Sequence, residues 1–399
     1  MNEDLKRTAG KAIDSHRTEL VALSHKIHQH PELGFAEVQA AAWLVEMCRS
    51  LGWEAAAGIC DLPTAWDARV PSPGHGPTVA FLAEYDALPE IGHACGHNIM
   101  ATAPIGAAIG VQAVIERLHG QVKLLGTPAE EGGGGKVLLA QRGALAGVDL
   151  AMMVHPSDYS AARGRGLALE HLEVEFRGRA AHAAASPEKG INALNALVLS
   201  FNHLDALRQH IPATSRIHGI INRGGDAPNV VPDYTKGTFI VRAADNVYLD
   251  ELMGKVGNCF EAGALATGAQ LRWQPVSPRY ETILSNPTMS ELYHQAMELL
   301  GVDCPMDSDR VIGSTDMGNV SWQVPSIHSI IKIVDGVPNH TREFAQAAVS
   351  EQGDRAIMDA AKAMAFTAID LLSQPDLVEQ AKHELRDSAA SSANEGQPG

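Results

Sequence analysis

The stretch of sequence that decides the fold lies at residues 79–110 and reads VAFLAEYDALPEIGHACGHNIMATAPIGAAIG. Its first five residues, VAFLA, are apolar without polar alternation, which is typical of a strand buried on both faces of a sheet. A polar segment follows and ends in Cys95 and His97, and from Ile99 an apolar run of helical length begins. The stretch therefore predicts a buried strand, a loop that carries metal-binding residue types, and a helix.

The same pattern continues on the carboxyl side of this stretch. Residues 122–125 and 150–154 are short apolar runs, and residues 136–145 between them have helical spacing. Because parallel strands are joined by right-handed crossovers, this β-α-β-α-β order predicts an α/β domain whose mostly parallel sheet is flanked by helices. Further segments expected in the same domain are helices at residues 14–30, 36–51 and 350–372 and a strand at residues 327–334.

Between these segments the hydrophobic pattern changes to the half-buried alternation of antiparallel strands. A chain of 399 residues is long enough for two domains. The alternating part has the β-α-β-β-α-β order of a ferredoxin-like domain, with strands at residues 172–176, 217–221 and 238–242 and helices at residues 191–208 and 249–266. We therefore expect a catalytic domain at residues 1–166 and 284–378, an inserted α+β domain at residues 167–283, and a polar tail at residues 379–399 that is disordered from about Ser388.

The charge balance excludes several classes of partner. Thirty-one Lys and Arg residues stand against 47 Asp and Glu, and the net charge of −16 has the wrong sign for binding phosphate backbones or an anionic membrane surface. No apolar run approaches the roughly 20 residues that span a bilayer, and the amino end is charged without an apolar signal core. We expect no nucleic-acid partner, no membrane partner and a cytoplasmic location.

Side chains that can bind metal follow each predicted buried strand. Ligands of open α/β sheets bind at the carboxyl ends of the strands, where the candidate residues here are Cys95, His97, Glu130, Glu131, His155 and His340. Thiolate, imidazole and carboxylate bind zinc and other first-row divalent ions. The thiol, the three imidazoles and one of the two adjacent carboxylates make five candidate ligands, which is more than one tetrahedral shell holds. Two ions about 3.5 to 4 Å apart, bridged by one anionic ligand, would use them all. One of the two adjacent carboxylates would then remain as a general base.

Six motifs resemble, in order, the signature blocks of the dinuclear metal-dependent amidohydrolases. They are HACGHN (93–98), GTPAEEGGGG (126–135), HP (155–156), GRAAHA (178–183), APNVVPD (227–233) and GSTD (313–316). That family includes aminoacylases, carboxypeptidase G and auxin-conjugate hydrolases, and the resemblance is greatest to its aminobenzoyl-glutamate hydrolase and dipeptidase-like branch. The resemblance extends over about residues 15–375. It implies that Cys95, His97, Glu131, His155 and His340 bind the metals, with Cys95 as the bridge, and that Glu130 is the general base.

The chain departs from other branches of that family at one motif. Those branches carry His-x-Asp after the first buried strand, with the histidine as a ligand, whereas Glu84, Tyr85 and Asp86 stand here. The resemblance then implies that His97 is a ligand and that Asp86 orients an imidazole. We expect zinc or manganese, with one or two ions per subunit left open.

In the resembling family the inserted domain closes over the metals as a lid and pairs two subunits, which implies a homodimer. By position in the matching motifs, His182, His218, Asn229 and Arg242 are candidates for substrate contacts. Arg223 is a further cation that could hold a substrate carboxylate. For His182 the alternative is that it only ties loops of its own domain together, for Arg242 it is a surface ion pair, and for Arg223 it is a solvated position in a turn.

These residues predict hydrolysis of the amide C–N bond in a small, carboxylate-bearing N-acyl or N-aroyl amino acid or dipeptide. A second reaction is compatible with the same site: the hydrolytic removal of an amine from the ring of an electron-poor aminobenzoate. A third possibility is a small-molecule binder that has lost its chemistry. Glu130 argues against the third, because a general base has no role in binding alone.

Overall fold

The computed structural model describes residues 2–308, 310 and 313–395 of the chain. The chain divides into two compact units, one formed by Met1–Gly166 with Ile283–Gly399 and the other by Leu167–Thr282. Within the described residues, no helix combines the length and the apolar character needed to cross a membrane. The cytoplasmic location stays a prediction.

Ten strands occur in the described part of the chain. In chain order they are β1 (Glu54–Ala57), β2 (Trp66–Arg69), β3 (Thr78–Ala83), β4 (Gln121–Gly126), β5 (Leu150–Ser157), β6 (Ala168–Arg177), β7 (Arg216–Arg223), β8 (Tyr234–Ala243), β9 (Gln270–Pro275) and β10 (Ser326–Lys332). Six of them form a sheet in the order β1-β2-β4-β3-β5-β10, and four form a second sheet in the order β7-β8-β6-β9.

Twelve α-helices accompany these strands in the described residues. They are α1 (Glu3–Ser15), α2 (Arg17–Gln29), α3 (Val38–Ser50), α4 (His97–Gln112), α5 (Gly135–Gln141), α6 (Ala193–Leu207), α7 (Asn246–Thr267), α8 (Pro287–Leu299), α9 (Met317–Ser321), α10 (Arg342–Ala347), α11 (Glu351–Ser373) and α12 (Pro375–Glu395). Short 3₁₀ turns lie at Ile59–Asp61, Ile115–Arg117, Pro187–Lys189 and Arg208–His210.

The six-stranded sheet belongs to the larger unit and is mainly parallel. Strands β4, β3, β5 and β10 pair in parallel, whereas β1 with β2 and β2 with β4 pair antiparallel at one edge. Strand β5 is buried along its whole length, as expected for a strand covered on both faces. The predicted helix-flanked, mostly parallel sheet is confirmed.

Helix α4 crosses the core of the larger unit. It is buried from His97 to Val111, because nearly every residue after its first turn is small or apolar. Gly106 lets the helix come close to a neighbour: an added Cβ there would lie 2.8 Å from the Cβ of Ala361 in α11. The amino end of α4, which carries His97, is thereby held at the carboxyl edge of the sheet.

The smaller unit has the β-α-β-β-α-β order predicted for the inserted domain, and all its strand pairings are antiparallel. The core residues alternate along the strands, for example Leu172, Val174 and Phe176 on β6, and they pack with side chains of α6 and α7. The predicted α+β ferredoxin-like architecture is confirmed. Its role as a lid and dimerisation domain stays a prediction.

Three local expectations differ from the structure. The helix expected at residues 14–30 is α2, which begins at Arg17, and a further helix that was not predicted, α1, precedes it and ends at Ser15. The short strands β1 and β2 were not predicted, because each has only four residues. Disorder from Ser388 is wrong as far as Glu395, since α12 continues to that residue.

Helix α12 is anchored by contacts to the rest of the larger unit, although most of its residues are polar. Val378 and Ala381 are buried, and the side-chain amide of Asn286 donates to the carbonyl of Ala381 at 3.0 Å. The Glu384 carboxylate accepts from the backbone N–H of Thr288 at 3.0 Å and from its hydroxyl at 2.6 Å. The alanines further along favour helix over coil. Residues 396–399 lie outside the described residues.

Candidate metal centre

The residues of the candidate site come from five segments at the carboxyl edge of the parallel strands. Strand β3 ends just before Glu84 and Asp86, and β4 ends just before the loop that carries Glu130 and Glu131. His155 lies near the end of β5, Cys95 and His97 lie at the start of α4, and His340 follows β10. Because these strands are neighbours and parallel, their loops meet at one edge of the sheet.

Gly96 makes the close approach between two of these segments possible. It adopts a left-handed backbone, with φ of 79°, at the position before α4. An added Cβ would lie 2.5 Å from Cγ of Pro156, which is closer than packing allows. With glycine in place, the loop lies against Pro156, and Sγ of Cys95 is 3.3 Å from Nε2 of His155.

One group of possible ligands consists of Cys95, His97 and His155, whose donor atoms lie within 4.8 Å of one another. Nδ1 of His155 is 2.7 Å from the carbonyl oxygen of Pro156. A carbonyl only accepts, so Nδ1 carries the proton and Nε2 presents its lone pair towards Cys95. Burial lowers the pKa of His155 well below its usual range, which keeps the imidazole neutral as a metal ligand must be.

His97 is oriented in the same way by Asp86. Its Nδ1 lies 2.9 Å from the backbone carbonyl of Asp86 and 3.1 Å from the side-chain Oδ1 of that residue. Nδ1 therefore donates, and Nε2 is left as the ligand atom. The structure thus places Asp86 where the sequence analysis expects an orienting carboxylate, in contact with an imidazole of the candidate site.

A second group consists of Cys95, Glu131 and His340. Nε2 of His340 is 3.3 Å from Oε1 of Glu131, and the backbone N–H of His340 donates to the carbonyl of Ala94 at 2.8 Å. The side chains of Cys95 and Glu131 raise the pKa of His340 to about 10. Cys95 belongs to both groups, which is the position that a bridging ligand requires.

The unpaired atoms of the site fit a divalent cation. Within the described chain, the buried atoms Nε2 of His97 and Oε2 of Glu84 have no hydrogen-bond partner. Nε2 of His97 and Oε2 of Glu84 are 3.3 Å apart. Burial acts to lower the pKa of His97, but Cys95 and Asp86 raise it well above its usual range, so the site favours a positive charge here, which a bound divalent cation would supply. A separation of 3.3 Å is also close to the ligand–ligand edge around a zinc with bonds of about 2.0 Å.

Glu130 lies beside these groups in a buried position. Its carboxylate forms a third cluster with Glu84 and His97. Burial, followed by the charges of Glu84 and Glu131, raises the pKa of Glu130 well above its usual range. A carboxylate with a high proton affinity, next to possible metal ligands, is suited to accept a proton from water.

Lys136 is a buried charged residue of this site that the sequence analysis missed. Its ammonium donates to Oδ1 of Asp316 at 2.7 Å and to Oε1 of Glu84, and its backbone N–H donates to Oδ2 of Asp316 at 2.8 Å. All three side chains are fully buried. Burial acts to lower the pKa of Lys136, but Asp316 and Glu84 raise it, so the ammonium stays charged. The available signal was a lone charge at the start of the otherwise apolar helix α5.

The five candidates for substrate contacts all lie in the smaller unit. Nδ1 of His182 accepts from the backbone N–H groups of Ala184 and Ala185, at 3.2 and 3.1 Å, so His182 does tie a loop of its own unit together. Asn229 is exposed, and its carbonyl accepts from Ala183 at 3.0 Å. The substrate contacts predicted for these two residues stay predictions.

The other three candidates lie on the strands β7 and β8. His218 is exposed on β7, and half-buried Arg242 on the adjoining β8 is close enough to help lower the pKa of His218, after burial itself. Arg223 pairs with Asp226 at 2.9 Å and lies over the ring of Tyr234, 5.2 Å from its centroid. Their part in substrate binding also stays a prediction.

Known proteins resemble this chain in sequence and in fold. A family model described as a peptidase dimerisation domain matches residues 165–267. The Xaa-Arg dipeptidase of Mus musculus is 39% identical, and the alignment covers 96% of this chain and 93% of the mouse protein. One of the subunits of the p-aminobenzoyl-glutamate hydrolase of Escherichia coli (strain K12) is 28% identical, over 96% of this chain and 95% of that protein. A dinuclear metal binding peptidase of Bacillus subtilis, from the M20 family, has the same fold, with a TM-score of 0.72 at 20% identity over 90% of this chain and 99% of that chain.

Proposed function

Because the chain belongs to the M20 family of metal-dependent peptidases and amidohydrolases, we propose that it cleaves the amide C–N bond of a small N-acyl or N-aroyl amino acid or dipeptide. The observation that carries the proposal is the pair of ligand groups that share Cys95, with Glu130 beside them. We assign the divalent ions, zinc or manganese and one or two per subunit, to Cys95, His97, Glu131, His155 and His340.

Metal ions bound there would polarise the scissile carbonyl and make water more acidic. Glu130 takes a proton from the attacking water as the new C–O bond forms, and it returns that proton to the nitrogen as the C–N bond breaks. Asp86 holds His97 in one orientation through this cycle, because its backbone and side-chain oxygens both accept from Nδ1.

A dipeptide with arginine as its second residue is the first substrate to test. The similarity to the mouse Xaa-Arg dipeptidase over nearly the whole chain supports this choice. We further propose that His182, His218, Asn229 and Arg242 contact the substrate and that Arg223 holds the free carboxylate of such a dipeptide. The match to a peptidase dimerisation domain over residues 165–267 supports a homodimer.

The experiment that tests this function uses metal-stripped protein reconstituted in turn with zinc, manganese, cobalt and iron. Each form is assayed against Xaa-Arg dipeptides, p-aminobenzoyl-glutamate, acyl amino acids and aminobenzoates, and the products are identified by mass spectrometry. The expected result is metal-dependent release of an amino acid from at least one amide. Release of ammonia from an aminobenzoate, with no amide cleaved, would replace the proposal by ring deamination. No turnover with any metal would overturn it.

A further inference from the structure

The backbone that presents the general base is held in an unusual conformation. Ala129, which directly precedes Glu130, has a φ of 56°, and the left-handed region is disfavoured for a residue with a Cβ. The Cβ of Ala129 packs tightly against two glycines, Gly34 and Gly133. A Cβ built on Gly34 would lie 2.9 Å from the Cβ of Ala129, and one built on Gly133 would lie 2.6 Å from it, so neither position has room for a side chain. A conformation of this kind persists only where neighbouring groups stabilise it.

A buried carboxylate supplies one of those stabilising contacts. Oε1 of Glu37 accepts a hydrogen bond from the backbone N–H of Ala129 at 2.8 Å, and Glu37 is fully buried. The two residues are 92 positions apart in the chain, so this contact joins the segment before α3 to the loop that carries Glu130. Burial raises the pKa of Glu37 to about 7, which means that the ionised carboxylate is less favoured here than it is in water.

Glu37 does not act as a side-chain cap of the helix that it precedes, which is α3. The carboxylate of Glu32 does so instead, accepting from the backbone N–H groups of Gln39 at 2.9 Å and Ala40 at 3.0 Å. Glu37 is therefore left to hold the loop around Ala129.

We propose that Glu37 is a positioning residue for the general base: by holding the N–H of Ala129, it fixes the direction in which Glu130 faces the metal centre. The inference rests on the proposed function, in which Glu130 moves the proton. A small displacement of a catalytic group can lower the rate about 10²-fold without affecting substrate binding. Glu37 touches neither substrate nor metal in this scheme.

The test compares three variants. Glu37→Met fills the same space without an acceptor, Glu37→Gln keeps an acceptor oxygen, and Glu32→Ala removes the cap of α3 as a matched control in the same segment. For Glu37→Met we expect kcat to fall about 10- to 100-fold with KM and metal content unchanged. Its thermal midpoint should stay close to that of the wild type, because removal of a buried carboxyl offsets the lost hydrogen bond.

Glu37→Gln should keep kcat within about threefold, since the hydrogen bond can still form. Glu32→Ala should lower the thermal midpoint and leave kcat unchanged.

Amide hydrogen exchange of the peptide that contains Ala129 gives a readout that does not depend on activity. Exchange should be faster in Glu37→Met than in the wild type and normal in Glu37→Gln. Unchanged exchange in Glu37→Met would overturn the proposal, whatever substrate the enzyme uses. Faster exchange with unaltered kcat, loss of metal from Glu37→Met, or a Glu37→Gln variant as slow as Glu37→Met would also overturn it.

Discussion

Glu130 and Glu131 are adjacent in the chain but lie in different surroundings. Glu130 is buried near Glu84 and His97, whereas Glu131 contacts His340 in the group that includes Cys95. We predict that Glu130→Gln lowers turnover by about 10² to 10⁴, as expected for a lost general base, and keeps its metal. Glu131→Gln should instead lose metal. Kinetics and elemental analysis of the two purified variants check this, and an exchange of the two behaviours would refute the assigned roles.

Cys95 lies where a bridging thiolate would lie, in contact with His155 and within the Glu131 and His340 group. We predict that metal-loaded protein resists alkylation at Cys95 and that chelated protein reacts, because a metal-bound thiolate is a poor nucleophile. Peptide mass spectrometry after treatment with iodoacetamide measures this. Half-buried Cys60 serves as the control and should react equally in both forms. The same rate at Cys95 with and without metal would exclude ligation.

At the scale of the elements, Lys136 connects three of them. The residue lies in the first turn of α5 and holds Glu84, just after β3, and Asp316, just before α9. We predict that Lys136→Met lowers the free energy of unfolding by about 3 to 5 kcal/mol, because two buried carboxylates lose their cation. Equilibrium unfolding in urea measures the change.

A matched control for Lys136 is available on the surface. Lys332 pairs with Asp335 at 3.0 Å, but 42% of its side chain is exposed. Lys332→Met should therefore change the free energy of unfolding by less than about 1 kcal/mol. If Lys136→Met were as mild as this control, the buried ion pairs would not contribute to the stability of the larger unit.

At the scale of the whole molecule, we predict that each active site is completed by a second subunit. His218 is exposed on β7, within the region that matches a peptidase dimerisation domain, and it is our candidate for stabilising the developing oxyanion in trans. Glu130→Gln and His218→Ala proteins should each be inactive alone and regain activity when their subunits exchange. A twofold dimer leaves one intact site per mixed dimer, so recovery should reach at most about half of the wild-type activity.

The complementation experiment has a clear negative result. Subunit exchange is verified first, for example by native mass spectrometry of differently tagged chains. Exchange without recovered activity would place His218 in cis or outside the mechanism. The dimer would then have a structural role only.

The sequence by itself was sufficient for the fold class, the family and the broad chemistry. Residues 79–83, 122–125 and 150–154 are apolar without alternation, and each is a strand of the parallel sheet. Motifs such as HACGHN depend on residue type and spacing, which are local properties and therefore readable directly. Local pattern was misleading at Ser388, because small polar residues are compatible with a helix once residues such as Val378 anchor it.

Only the tertiary structure decided which distant residues face each other. Cys95 and His155 are 60 positions apart, Glu37 and Ala129 are 92 apart, and Lys136 and Asp316 are 180 apart, yet each pair is in contact. Periodicity reports whether a residue is buried, but not what it is buried against, because that depends on strand order, register and the approach of backbones at positions such as Gly96. Glu37 and Lys136 were missed for this reason: a buried charge is identified by its partner, and the partner comes from another part of the chain.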